Sequence, residues 1–219
     1  MKAYYCIFAF LIIWLTSNAG IAQTVDNDSK SAAPAGDVFR ITRGANEFGI
    51  AGSASFTPVT LGGLHSDEAK GRKLFVAYLH YARALSGGPN VSVQYSIDAL
   101  PVILATSDIV TTATAPRRTA YGFGLVPLGV TVNFRNSRRI KPFVNIGAGG
   151  ARFGRPVPLP DAGRFAFILK GSGGIRIFKA NGHAISLGVE LIHFSNGNMS
   201  GSNRGLNQIA FTSGFSIFR

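Results

Sequence analysis

Residues 165–195 read FAFILKGSGGIRIF, KANG, HAISLGVELIHFS, and the alternation within them decides the fold. In the first run Phe165, Phe167, Leu169, Ile175 and Ile177 share one face, while Lys170, Ser172, Gly174 and Arg176 share the other. In the second, Ile185, Leu187, Val189 and Leu191 oppose Ser186, Gly188 and Glu190. A period of two is that of a β-strand, and Lys179-Ala-Asn-Gly182 between the runs has the composition of a tight turn, so the segment is an antiparallel hairpin. Working outward in both directions, the same reading predicts eight strands, at 46–56, 72–85, 90–105, 119–135, 140–153, 163–178, 183–195 and 206–219. The third shows the alternation as clearly: Val91, Val93, Tyr95, Ile97 and Ala99 against Ser92, Gln94, Ser96 and Asp98. No apolar spacing of three and four persists long enough for a surface helix.

Which face is apolar decides the class. The polar face is rich in Gly and Ser with sparse charges (Asp98, Arg135, Lys170, Arg176, Glu190), and the apolar face carries many Phe and Tyr residues. A soluble barrel or sandwich buries its apolar side chains and shows charge outside. In a membrane barrel the apolar face points out, and small or polar residues fill the lumen. The connections agree with the second arrangement. Short turns at 86–89, 136–139 and 179–182 alternate with longer links at 57–71, 106–118, 154–162 and 196–205. The expected fold is therefore all-β, an eight-stranded antiparallel transmembrane β-barrel of an outer membrane, whose closure leaves no free sheet edge.

The N-terminus supports export. Lys2, the apolar run Tyr4 to Leu15 and the small residues ending at Ala22 have the layout of a signal peptide over residues 1–22. A loose, polar segment follows over 23–39, and the barrel occupies 40–219. The single cysteine, Cys6, lies within the signal, which leaves the mature chain without disulfide or thiolate chemistry. The chain carries 22 Lys and Arg against 10 Asp and Glu, a net charge of +12 that favours an anionic partner. Export argues against nucleic acid and leaves acidic lipid or polysaccharide.

The four histidines, His65, His80, His183 and His193, include no pair at a metal-ligand spacing, and neither a metal nor another cofactor is expected. Gly147-Ala-Gly-Gly150 and Gly171-Ser-Gly-Gly174 open no helix, so they lack the means to cradle phosphate, and crowding in a narrow lumen accounts for them better. The stretch from Glu190 to Asn207 is different. His193 and Ser195 have the parity of Ile185 to Leu191 and so continue the lipid face at the end of their strand. Asn207 has the parity of Ile209, Phe211 and Phe215 on the next strand, again the lipid face. Polar side chains are costly to hold there for packing alone. Paired across a hairpin, they make sense as a base and a nucleophile at the lipid boundary.

His193-Phe-Ser195-Asn196 followed by Asn203-Arg-Gly205-Leu-Asn207 resembles the signature of the lipid A 3-O-deacylase (PagL-type acyloxyacyl hydrolase) family, and Tyr81-Ala-Arg83 is similar as well. The resemblance implies an outer-membrane serine esterase that hydrolyses an ester-linked fatty acyl chain from the lipid A of lipopolysaccharide. It implies Ser195 as nucleophile and His193 as general base. Asn196 and neighbouring backbone N–H groups would stabilise the oxyanion, with Asn203 and Gly205 in support. The family places Glu where this chain has Asn207. An amide oxygen still orients an imidazole, but it supplies no negative charge. Glu190 has the opposite parity and should face the lumen.

Arg117, Arg118, Arg155 and Arg204, with Arg72, Lys73 and Arg164, fall in or beside the long links, at the height where lipid phosphates would sit. The partners expected are thus lipopolysaccharide and the outer membrane, and a homodimer is compatible with the pattern. A catalytically weak or inactive structural or adhesive barrel of the same ancestry is the alternative, with the Glu-to-Asn departure as its best argument. A pore is disfavoured by the narrow lumen.

Overall fold

A computed structural model describes residues 39–55, 58–59, 72–107, 118–159, 161–201, 203 and 205–219. The signal-peptide reading of 1–22 and nearly all of the segment 23–39 lie outside these residues, as do His65, Arg117 and Arg204.

The chain forms β1 (Asn46–Ser55), β2 (Pro58–Val59), β3 (Lys73–Gly87), β4 (Val91–Ser107), β5 (Arg118–Phe134), β6 (Ile140–Phe153), β7 (Phe165–Phe178), β8 (His183–Ser195) and β9 (Leu206–Phe218). Each long strand pairs antiparallel with the next, and β1 pairs with β9 from Glu47–Phe218 to Ala54–Phe211, which closes an eight-stranded barrel. The two-residue β2 adds to the rim by pairing Val59 with Asn207 and Pro58 with Gln208. All eight predicted strands are present, within a few residues of the expected limits. Two of the three prolines inside the long strands lie where the ladder slips: Pro101 in the shift between Leu100 and Ile103, and Pro127 in the shift between Leu125 and Leu128. Proline has no N–H to give the ladder, so an irregularity is where it belongs. The third, Pro142, keeps its register opposite Ile175 near the start of β6.

The apolar face points outward. Ile50, Leu79, Phe123, Ile146, Leu169, Leu187, Val189, Ile209 and Phe211 are all exposed on the barrel wall. Inside lies a charge network. Lys170 Nζ is 2.7 Å from Asp98 Oδ2 and 3.4 Å from Glu190 Oε2, and Arg176 lies 3.0 Å from Glu47. His80 Nδ1 is 2.5 Å from Asp98 Oδ1, and Tyr78 and Ser53 both donate to Glu190. Greasy outside and paired charge inside is the membrane-barrel arrangement.

Two details depart from the sequence reading. Arg135 is exposed in the turn after β5, with φ 55°, and takes no place in the lumen. The lumen is also not polar throughout. Toward the long-loop end, Leu74, Val76, Ile103, Phe153, Ile168, Ile192, Phe194 and Leu206 pack into an apolar plug. The strands there carry apolar side chains on both faces, so alternation alone does not reveal the inner one. The plug holds the outer end of β8 firmly, since Ile192 and Phe194 are each 1% exposed and the Phe194 ring meets Phe153 edge-on at 5.7 Å.

Candidate active site

Because Ile192 and Phe194 point into the plug, His193 and Ser195 between and beyond them must point out. Both are half-buried on the outer wall, at the long-loop end of β8. His193 pairs across the ladder with Asn207 of β9, and its Nδ1 is 2.6 Å from Asn207 Oδ1. A carbonyl oxygen can only accept, so Nδ1 carries the proton and Nε2 is left with its lone pair. This is the tautomer a general base requires.

The ring leans toward the serine. Gly205 lies one step beyond the Phe194–Leu206 pair, level with Ser195, and a Cβ built on it would fall 2.5 Å from His193 Cε1 and 3.3 Å from Nδ1. The imidazole thus occupies the space a side chain at 205 would take, tilted out of its own row and into that of Ser195. The Ser195 hydroxyl makes no hydrogen bond among the described residues, to the imidazole included. Such contacts are often long in a site without substrate and close when it binds.

The loop after Ser195 is knitted by Asn196, which is 5% exposed. Its backbone N–H donates to Asn203 Oδ1 at 2.9 Å, and its side-chain amide donates to Ser200 Oγ at 2.8 Å. Its Oδ1 accepts from the Asn198 N–H at 2.9 Å, and its carbonyl accepts from Met199 at 3.1 Å. Asn196 and Asn203 therefore shape the loop, with the Asn196 amide committed to Ser200. The backbone N–H of Gly197 is different. It makes no hydrogen bond among the described residues, and Gly197 takes φ 62°, where glycine is favoured. A Cβ there would lie 2.9 Å from the Phe167 ring, and Phe167 is the cross-strand partner of Ser195.

Gly197 and Phe167 did not emerge from sequence reading. Counting back from the Lys179–Gly182 turn would have set Phe167 opposite Ser195, whereas the free N–H follows only from the loop's hydrogen bonds. The surround is apolar: Phe167, Leu169, Leu191 and Ile209 are each close to half exposed on the same wall.

The other expected residues lie elsewhere. Glu190 is 3% exposed in the lumen and bound to Tyr78, Ser53 and Lys170. Tyr81 and Arg83 lie toward the short-turn end, where both donate to Asn46 Oδ1. Arg155 is exposed in the loop after β6, and Arg118 begins β5.

Comparison with known proteins bears on the fold and the family. No curated protein matches the chain in sequence. Among solved structures, the crystal structure of the outer membrane enzyme PagL superposes with a TM-score of 0.52 at 16% identity, covering 78% of this chain and 98% of that one. The solid-state NMR structure of outer membrane protein AlkL in DMPC bilayers superposes at 0.49 and 13% identity, covering 90% and 97%. Neisserial surface protein A gives 0.46 and 11%, covering 79% and 96%. A profile of the lipid A 3-O-deacylase (PagL) family matches residues 88–216, which include His193, Ser195, Gly205 and Asn207, and the chain belongs to that family.

Proposed function

We propose that this protein is an outer-membrane esterase that removes an ester-linked hydroxy-fatty acyl chain from lipid A, with Ser195 as nucleophile. The observation that carries the reading is the 2.6 Å bond from His193 to Asn207 on the outward face, beside an uncommitted serine. Ringed on that wall by Phe167, Leu169, Leu191 and Ile209, an oriented base next to a hydroxyl is where a lipid ester can be attacked without leaving the membrane.

The steps follow from the groups present. Ser195 Oγ attacks the ester carbonyl carbon while His193 Nε2 takes the hydroxyl proton. The carbonyl oxygen becomes an oxyanion, for which the Gly197 N–H is the available backbone donor. Collapse breaks the bond to the sugar oxygen, which leaves with the proton from His193, and the acyl chain remains on Ser195. Water then attacks the acyl-serine, His193 takes its proton and returns it to Ser195 Oγ, and the fatty acid departs. Asn207 holds the tautomer but adds no charge to steady the imidazolium, so the enzyme is slower than a carboxylate-assisted one. That departure is also what favours the second reading, an inactive structural barrel of the same ancestry.

The export signal read at residues 1–22 and the outward apolar wall support residence in the outer membrane, with the long loops outside. The test is to express wild type and Ser195→Ala in a lipopolysaccharide-bearing outer membrane and compare lipid A by mass spectrometry. The proposal expects wild type to shorten lipid A by one hydroxyacyl chain and Ser195→Ala to leave it whole. Unchanged lipid A with wild type refutes the substrate, and equal deacylation by both refutes the nucleophile.

A further inference from the structure

Paired residues in antiparallel strands project from the same side of a sheet, so the ladder divides the outer wall into rows. One row runs Leu125, Gly150, Phe167, Ser195 across β5 to β8. The row above it, toward the long loops, runs Phe123, Arg152, Phe165. Arg152 is exposed between two exposed phenylalanines, on the face that elsewhere carries only apolar or small side chains at this end of β6. It is a strand residue with lipid-facing parity, and it is separate from the loop cations named from the sequence.

An arginine on the lipid face of a barrel is strongly destabilising at the bilayer midplane and close to neutral at the interface. Arg152 therefore belongs at headgroup height, and because tilted strands incline the ladder rows to the membrane plane, what the register fixes is the separation of Arg152 from Ser195. The offset suits one molecule. Two residues along the strand and two strands across put the backbones of Arg152 and Ser195 roughly 12 Å apart. Arg164 joins from the rim, where its carbonyl accepts from Phe153 N at 2.7 Å, and Arg155 follows Gly154, whose N–H donates to Tyr121. Arg152, Arg155 and Arg164 are all exposed, and none of their side chains makes a hydrogen bond or ion pair among the described residues. Asp161 in the same loop forms no ion pair with them. Arg152 pairs with Phe165, the residue after Arg164, and Arg155 lies three residues beyond Arg152, so the three guanidinium groups share one end of the wall and match a doubly charged oxyanion, which each can hold bidentately.

We propose that Arg152, with Arg155 and Arg164, binds a phosphate on the sugar headgroup of the glycolipid whose ester meets Ser195. The inference rests on the esterase reading for the identity of the ester but not for the existence of the phosphate site. Its effect is to set the depth and lateral position at which the glycolipid lies against the wall, and hence which of its esters reaches Ser195.

The test uses the full exported protein in neutral detergent, with lipid A carrying its phosphates and the same lipid A after phosphatase treatment. Native mass spectrometry of Ser195→Ala measures retention. Adding Arg152→Gln and Arg164→Gln is expected to weaken retention of the phosphorylated lipid about five-fold or more, and to leave the dephosphorylated lipid as it was. With Ser195 intact, the same pair of changes should collapse the KM advantage of the phosphorylated substrate while kcat moves little. Loss of phosphate-dependent retention with no turnover by any form upholds the phosphate site and sinks the esterase reading. Turnover with an undiminished preference for phosphate in the double variant overturns the site. Equal retention of phosphatidylglycerol would overturn its assignment to the sugar headgroup in favour of general attraction to anionic lipid.

Discussion

Gly205→Ala isolates the placement of the imidazole. The added Cβ would lie 2.5 Å from His193 Cε1 and 3.3 Å from the Phe194 carbonyl oxygen. Carbon atoms pack at about 3.5–4.0 Å, so contact must open by at least about 1 Å. The Phe194 carbonyl is ladder backbone and cannot give way, but the imidazole can rotate about its χ angles. That rotation breaks the 2.6 Å bond to Asn207 and swings Nε2 away from Ser195. Overpacking of this kind costs about 1–3 kcal/mol in stability, and relief by a side chain at the lipid surface puts it at the lower end. Misplacing a catalytic group by about 1 Å costs about a hundred-fold in rate, close to 2.7 kcal/mol in the barrier. The prediction is a barrel that folds, with acyl release reduced about a hundred-fold. Folding is read from the heat-modifiable mobility shift of barrels on gels, and activity from fatty acid released per folded molecule. A Gly205→Ala protein releasing acyl chains at the wild-type rate would refute the claim that His193 works from the position described.

Asn207→Asp keeps the size and reach of the side chain and adds the missing charge; acyl release per folded molecule should rise by about ten-fold or more, and a flat response would mean that the charge has no imidazolium to stabilise. Lys170→Met leaves Asp98 and Glu190 facing each other without their cation, and should lower barrel stability to urea by about 3–5 kcal/mol while acyl release per folded molecule stays near wild type. Phe194→Ala empties a site that is 1% exposed and frees the outer end of β8; a loss of about 3–5 kcal/mol with reduced activity is expected, and a stable, fully active variant would show that the plug does not hold the site.

Much of this was legible because a strand allows only two directions for a side chain. Once Ile185 to Leu191 were placed outward, His193 and Ser195 had to follow, and the same counting put Asn207 on the wall opposite them. What parity could not reveal depends on register across several strands. His80 joins Asp98 because those two residues pair between β3 and β4, and nothing within either strand announces it. Phe194 falls on the inner face by the same counting, but nothing within its strand announces that the Phe153 ring meets it there. Arg152 is a case where parity suffices, since it shares the face of Ile146 on the outer wall although the other cations at this end belong to loops. Gly205 carried a motif position without a reason, and the reason is a contact with a ring from the neighbouring strand.

The central claim, that the outer wall of the barrel is a serine esterase site, is tested most directly by covalent labelling. Outer membranes holding the wild-type protein are treated with a lipophilic fluorophosphonate, and the modified residue is found by peptide mass mapping. The account predicts one adduct, on Ser195, and its loss in His193→Asn, where no base remains to take the hydroxyl proton. Deacylation of lipid A with no adduct on Ser195, or an adduct there that survives His193→Asn undiminished, would contradict it.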